Sequence, residues 1–389
     1  MKKTSSRLIV IFTSLVTALA VIFTVTGCGS SQSGEERRTA PHIDGLTYEG
    51  SMSPEYAESF DVYYYSGGYA VIDTFTGGRQ YLVVPEGGSI PEGLPDDMTV
   101  IEQPAGSVYM AASSVMSLFD SLGALETVSF TSTDVDGWYV ESAVEALTSG
   151  SMVFIGKYSQ PDYEGLLEGD CDLAVESTMI LHSPETMEKL EELGIPVFID
   201  YSSYEQHPLG RTEWIKVYGV MLGRKEEAES FFREQTSSIE YLEELENTEK
   251  TVAYFFINSA GNVVVRKYDD YIPKMIEIAG GRYVFDDLEN ADSEAPSVKL
   301  SMEKFYDEAV DADYLIYNAT IDSPLESMDD LMEKSGLFRD FKAVKEGNVW
   351  TTDKYMYQAA DVTAEFINDI HRMVTGGDSE DMVFLTKVQ

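Results

Sequence analysis

A largely apolar run from Leu8 to Val25, preceded by Lys2, Lys3 and Arg7, opens the chain. Residues 29 to 58 then carry Ser, Gly, Glu and Arg without apolar periodicity, which predicts a mobile polar spacer. Between Phe60 and Val84 short aromatic and β-branched runs break at Ser66-Gly67-Gly68 and Thr76-Gly77-Gly78, the signature of β-hairpins. Beyond Thr99 short apolar strands alternate with helical patterns. Strands are predicted at Thr99–Glu102, Thr127–Thr131, Met152–Ile155, Leu173–Glu176 and Pro196–Asp200. Helices are predicted at Ala111–Leu122, Tyr139–Leu147, Tyr163–Glu168 and Pro184–Leu193. This alternation argues for a parallel sheet covered by helices, with Gly123 and Gly194 placed as helix stops.

Trp214, Val217, Tyr218, Met221 and Leu222 share one helical face that Gly223 ends. A second amphipathic helix, Lys225 to about Glu246, turns Ala228, Phe231, Phe232, Ile239 and Leu242 inward. The α/β pattern then resumes with strands Thr251–Ile257, Val263–Arg266, Tyr314–Tyr317 and Val349–Thr351, and a last helix, Ala359–Val374. A chain of 389 residues exceeds what one hydrophobic core serves. The expected fold is therefore α/β with two Rossmann-like lobes, their sheets parallel-rich, and a ligand cleft between them. The expected boundaries are 1–27 leader, 28–58 tether, 59–205 first lobe, 206–224 connecting helix, 225–376 second lobe and 377–389 tail.

The basic start, apolar run and small residues of Val25-Thr26-Gly27-Cys28 describe a secretory signal, and the cysteine after the cut resembles the lipobox of bacterial lipoproteins. Cys28 is then the lipidation site, with the protein tethered to the outer face of the cell membrane through lipid alone. Cys171 is left as a lone thiol, which excludes an intramolecular disulfide. A formal charge of −41 excludes nucleic acid as a partner and favours a soluble monomer. His42, His182, His207 and His371 show no paired metal-ligand spacing, Asp134-Val135-Asp136-Gly137 reads as a turn, and no catalytic motif is present, so neither a metal site, a cofactor nor an enzyme is expected.

The segment His207-Pro208-Leu209-Gly210-Arg211-Thr212-Glu213-Trp214-Ile215, followed by Leu222-Gly223 and the Glu226-Glu227-Ala228 helix, resembles the lobe-connecting region of class III substrate-binding proteins of ABC importers. Leu122-Gly123, Ala279-Gly280-Gly281, Asp313-Tyr314-Leu315-Ile316 and Gly347-Asn348-Val349-Trp350 extend the likeness over roughly Val100 to Gly376. The resemblance implies a rigid helix between the lobes and a bulky metal chelate as ligand, an iron(III)-siderophore first, with haem or cobalamin as alternatives. It implies delivery to a permease dimer with its ATPase. It also implies one docking glutamate per lobe, which match Glu164 and Glu303. An envelope-anchored sensor or enzyme using the same cleft is the rival reading.

Ligand contacts in such a fold belong at the carboxyl ends of strands. That rule selects Tyr109, Trp138, Ser177, Thr178 and Tyr204 in the first lobe, and Arg266, Lys267, Tyr268, Asn318 and Tyr355 in the second. Aromatic rings offer flat area to a chelate, and Arg266 and Lys267 offer charge to its acidic groups.

Overall fold

Five strands, β1 (Tyr48–Met52), β2 (Phe60–Tyr65), β3 (Tyr69–Thr74), β4 (Arg79–Val84) and β5 (Met98–Glu102), form a sheet in that order, antiparallel except for the parallel pair β4–β5. The period of two along these strands divides their side chains. Val62, Ala70, Ile72, Tyr81, Val83 and Ile101 join the main core, whereas Tyr63, Tyr65, Val71, Leu82, Val84 and Met98 form a second small core with Ile43. The computed structural model describes residues 39–285, 288, 296–377 and 379–389, and Ala40–Gln389 form one compact unit. The apolar run, Cys28 and the first part of the expected spacer lie outside the described residues.

Two expectations change here. Residues 40–58 are not a polar spacer, because Ile43 and Ala57 are buried and β1 pairs with β2. The strand expected at Thr99–Glu102 is β5, which belongs to the amino-terminal sheet. The first lobe starts instead with β6 (Val108–Met110), three residues too short to show periodicity.

The first lobe continues through α1 (Met116–Ser121), β7 (Val128–Thr131), α2 (Glu141–Ser149), β8 (Val153–Phe154), α3 (Tyr163–Glu168), β9 (Leu173–Ser177), α4 (Pro184–Glu192) and β10 (Val197–Asp200). Its sheet runs β10-β9-β6-β7-β8 with every pairing parallel. The amino-terminal sheet covers the β10 edge. Tyr81 packs on Phe198 at 4.7 Å and its hydroxyl accepts the Ile199 N–H, so the edge amide is satisfied and shielded.

The connection is not one helix over 206–224. It comprises α5 (Pro208–Glu213) and α6 (Ile215–Met221), a turn with Gly223 at φ +69°, then α7 (Lys225–Ser237). The second amphipathic helix expected to reach Glu246 thus stops at Ser237, and a 3-10 turn, Glu240–Glu244, follows. Trp214 sits between Phe60 of the amino-terminal sheet (5.1 Å) and Phe198 of the first lobe (6.3 Å), so sheet, lobe and connection share one aromatic cluster.

The second lobe holds β11 (Lys250–Ile257), β12 (Val263–Arg266), α8 (Tyr271–Ile278), β13 (Gly281–Tyr283), β14 (Ser297–Leu300), α9 (Met302–Ala309) and β15 (Tyr314–Tyr317). After them come α10 (Met328–Lys334), α11 (Lys342–Glu346), β16 (Val349–Thr352), α12 (Thr363–Val374) and β17 (Leu385–Lys387). The sheet order is β14-β12-β11-β15-β16-β17, with β13 beside β11. The expected tail, 377–389, in fact supplies β17, antiparallel to β16. The fully buried Asp369 of α12 pins it by accepting the N–H groups of Val383 (2.9 Å), Phe384 (2.6 Å) and Leu385 (3.2 Å).

Glu176 is the exception among the buried acids. It lies in β9 with no exposure, neither carboxylate oxygen has a hydrogen-bond partner, and burial pushes its carboxyl well above the ordinary range. A raised folded-state value means that stability falls as pH rises above the unfolded value. Glu176→Gln is therefore expected to raise the melting temperature by a few degrees at pH 8 and to lose that advantage as pH approaches 4, read from melting curves across pH. Asp369→Ala is expected to cost on the order of 1–3 kcal/mol by orphaning the amides of 383–385. Urea unfolding, together with faster amide exchange at Leu385, checks it.

Candidate functional site

Because all first-lobe strands are parallel, their carboxyl ends lie along one edge of the sheet, where ligand-binding loops of such folds gather. The loops after β7, β9 and β10 place Tyr139, Met179, Leu181 and Tyr204 there, and β8 ends there on Phe154, all exposed. In the second lobe the loops after β15 and β16 expose Ile321 and Tyr357. The two edges face each other. The Tyr139 N–H donates to Gln358 Oε1 (2.8 Å), Gln358 Nε2 donates to the Gly137 carbonyl (2.9 Å), and the rings of Tyr139 and Tyr357 meet edge to face at 6.2 Å. Deeper in the seam the Ser121 hydroxyl donates to Asp361 Oδ2 (2.9 Å), whose carboxyl is raised by burial.

Exposed aromatic, thioether and aliphatic groups concentrated at facing strand ends suit a large ligand with apolar faces. Lys157 and Lys354 stand on the same loops and supply positive charge to that edge. Where α5 meets the second lobe, a small cavity lined by Arg211, Tyr271, Met356, Ala359 and Ala360 measures ≈ 20 Å³, room for about one water. A much larger groove, ≈ 1110 Å³, lies elsewhere, between the amino-terminal sheet and the opposite edge of the first lobe. Its walls carry Asp96, Asp97, Glu102, Asp172 and Glu191 against Arg79, so its field opposes an anionic ligand. Position at the strand ends, rather than volume, marks the site.

Several residues selected from the sequence lie elsewhere. Tyr109 is a core residue of β6 with no exposure, and Trp138 is buried with its indole N–H on the Thr133 carbonyl (3.0 Å). Ser177 and Thr178 are half-buried, the Ser177 hydroxyl facing the Met179 N–H, while Tyr204 is open on the cleft edge. Arg266, Lys267 and Tyr268 end β12, which runs antiparallel to β11, so they sit at the opposite edge from Asn318. There Arg266 pairs with Asp270 (3.3 Å), Lys267 is buried and Tyr268 donates to Glu277. Asn318 ends β15 at the cleft edge but is buried, its Oδ1 accepting from the Thr320 amide and hydroxyl. Tyr355 stacks on Phe384 at 5.9 Å.

Tyr139 and Phe154 fall in the helix and strand expected at Tyr139–Leu147 and Met152–Ile155, and Met179, Leu181, Ile321 and Tyr357 were not selected from the sequence. Their signal was position, within a few residues past a parallel strand.

Glu164 and Glu303 occupy equivalent places. Each is the second residue of a helix, α3 or α9, exposed, and capped by Asp162 or Ser301. Each helix leads to a strand whose preceding Asp anchors a neighbouring strand: Asp172 accepts the N–H groups of Gly106 and Ser107, and Asp313 that of Thr251. Burial acts against ionisation of Asp313, but the Lys342 ammonium and the Thr251 donors outweigh it and hold its carboxyl at about 2.

A family model for periplasmic binding proteins matches residues 111–356. An uncharacterized lipoprotein of Methanocaldococcus jannaschii is 26% identical over 407 residues, covering 97% of this chain and 99% of its own. The periplasmic haem-binding protein of Vibrio cholerae aligns in structure with a TM-score of 0.55 at 17% identity, covering 69% of this chain and 97% of the other. A protein of an ABC-type Fe3+-hydroxamate transport system from Saccharomonospora viridis aligns with a TM-score of 0.52 at 16% identity, covering 70% and 93%. These likenesses support the two-lobed, parallel-rich fold. Among the described residues no helix is long and apolar enough to cross a membrane. With the match spanning both lobes and their connection, the chain belongs to the periplasmic binding protein family.

Proposed function

We propose that this protein captures a bulky metal chelate, an iron(III)-siderophore first, between its two lobes outside the cytoplasm and delivers it to the permease of an ABC importer. The observation that carries this reading is the set of exposed aromatic, thioether and aliphatic side chains on facing strand ends, Tyr139, Met179 and Tyr204 opposite Ile321 and Tyr357. Flat and polarizable groups of this kind bind large ligands through area, with little demand on charge. The haem- and hydroxamate-related neighbours are consistent with that ligand size. Cys28 supplies the lipid anchor in this reading, as in the lipoprotein relative.

Glu164 and Glu303 serve as the two docking points. A carboxylate on each lobe, at the same position of the same kind of helix, offers a permease two fixed negative charges, and rim charges of this sort set register and encounter rate more than affinity. The protein acts as a carrier, with binding and release as its whole chemistry.

Fluorescence titration of the soluble domain from Gly29 tests the ligand class. Trp138, buried and adjacent in the chain to Tyr139, is the reporter. Saturable, submicromolar quenching is expected with one of ferric hydroxamate, ferric catecholate, haemin or cobalamin, and flat curves with all four would overturn the chelate reading. Tyr204→Ala is expected to weaken the binding found by about tenfold, the ~1.4 kcal/mol scale of one lost aromatic contact. Glu164→Arg is expected to leave that affinity unchanged and to reduce uptake by cells carrying the cognate permease by at least about tenfold.

A further inference from the structure

Two attachments converge on the six residues of α5 from opposite sides. On one side the fully buried Glu213 carboxylate accepts the main-chain N–H groups of Glu55 (2.9 Å), Tyr56 (2.8 Å) and Ala57 (2.9 Å), and the Lys216 ammonium (2.8 Å). Glu205 continues the series, accepting the N–H groups of Glu58 (2.8 Å) and Ser59 (3.1 Å) and the Trp214 indole (2.9 Å). Residues 55–59 thus form a strap in which five successive amides end on carboxylates of the connection. Gly210 lies beneath it: a Cβ there would stand 2.9 Å from the Tyr56 carbonyl oxygen and 3.2 Å from Ala57 Cα, so α5 is bare where the strap crosses.

On the other side α5 grips the second lobe. The Thr212 hydroxyl donates to the Ala360 carbonyl (2.8 Å), and the Arg211 guanidinium lies 4.0 Å over the Tyr271 ring. Ala360 is two residues from Gln358, whose amide side chain joins the lobes at Gly137 and Tyr139. Strap, α5 and seam are therefore one continuous chain of contacts, buried at Ala57–Glu213 and Thr212–Ala360 and part-buried at the Gln358 contacts.

We propose that the amino-terminal sheet braces the ligand cleft: by holding α5 through Glu213 and Glu205, the strap fixes where Thr212 and Arg211 meet the second lobe, and so sets the closure of the Gln358 loop on Gly137–Tyr139. Glu213 is a positioning residue. The strap and the amino-terminal sheet precede residue 111, where the family-model match starts, whereas Glu205, Glu213 and α5 lie within it. Opening of the cleft then requires α5 to move with the strap or to release it. This couples ligand entry to the sheet that comes first in the chain among the described residues.

Amide exchange of the domain from Gly29 tests the brace without any ligand, so its failure leaves the chelate reading untouched. Glu213→Gln keeps one acceptor oxygen but sets an amide NH2 against either the strap N–H groups or Lys216. Ala57→Pro removes one strap N–H and leaves α5 intact. In both variants exchange is expected to rise at least about tenfold at Glu55 and Tyr56 and, with them, at the Tyr139 amide, while β15 amides keep their wild-type protection. Faster strap exchange with unchanged Tyr139 protection would show that the strap only stabilises its own segment and would overturn the proposal. Where Glu213→Gln accelerates β15 as well, Ala57→Pro decides on the same two readings.

Discussion

The Glu213 carboxylate, buried on the connecting helix and accepting three consecutive amides of the amino-terminal strap, is the interaction on which the arrangement of the molecule turns. A buried carboxylate is stable in its charged form when donors fill its lone pairs, and at Glu213, unlike Glu176, backbone N–H groups and one ammonium fill them. The same device recurs. Glu205 holds the next two amides of the strap, Asp172 and Asp313 each fix the start of a neighbouring strand, and Asp369 gathers the last strand. A chain with 68 acidic residues uses several of them inside, as anchors for backbone that has no regular partner.

These knots explain how a fold with two lobes, an added sheet and an interrupted connection holds a defined shape without a disulfide. The aromatic cluster around Trp214 supplies apolar burial where sheet, first lobe and connection meet, and the carboxylates supply direction. Burial alone would leave those elements free to slide. The Gln358 loop then presents Tyr357 opposite Tyr139, so the facing apolar edges are a consequence of anchoring as much as of sheet topology.

The α/β alternation, the hairpins and the break at Gly223 were legible in the sequence because long apolar periods and glycine stops report local structure directly. Three-residue strands such as β6 and β17 were not, since so short a run has no period. Residues 40–58 read as spacer because their order comes from Glu205 and Glu213, acids roughly 150 positions away in the chain. The cleft was only partly legible. The strand-end rule selects Tyr204, which is exposed past β10, but the rule does not carry over to Arg266, Lys267 and Tyr268, because β12 runs antiparallel to β11, which no local pattern reveals. Trp138 marked the correct loop although its neighbour Tyr139 carries the exposed surface.

Hydroxyl-radical footprinting, with and without the chelate that binds, tests the central claim most directly: that the ligand lies between the facing strand ends. The account expects protection of Tyr139, Met179, Tyr204 and Tyr357 together, on both lobes. Protection confined to residues such as Met98 and Ile90, which line the acidic groove beside the amino-terminal sheet, would contradict it.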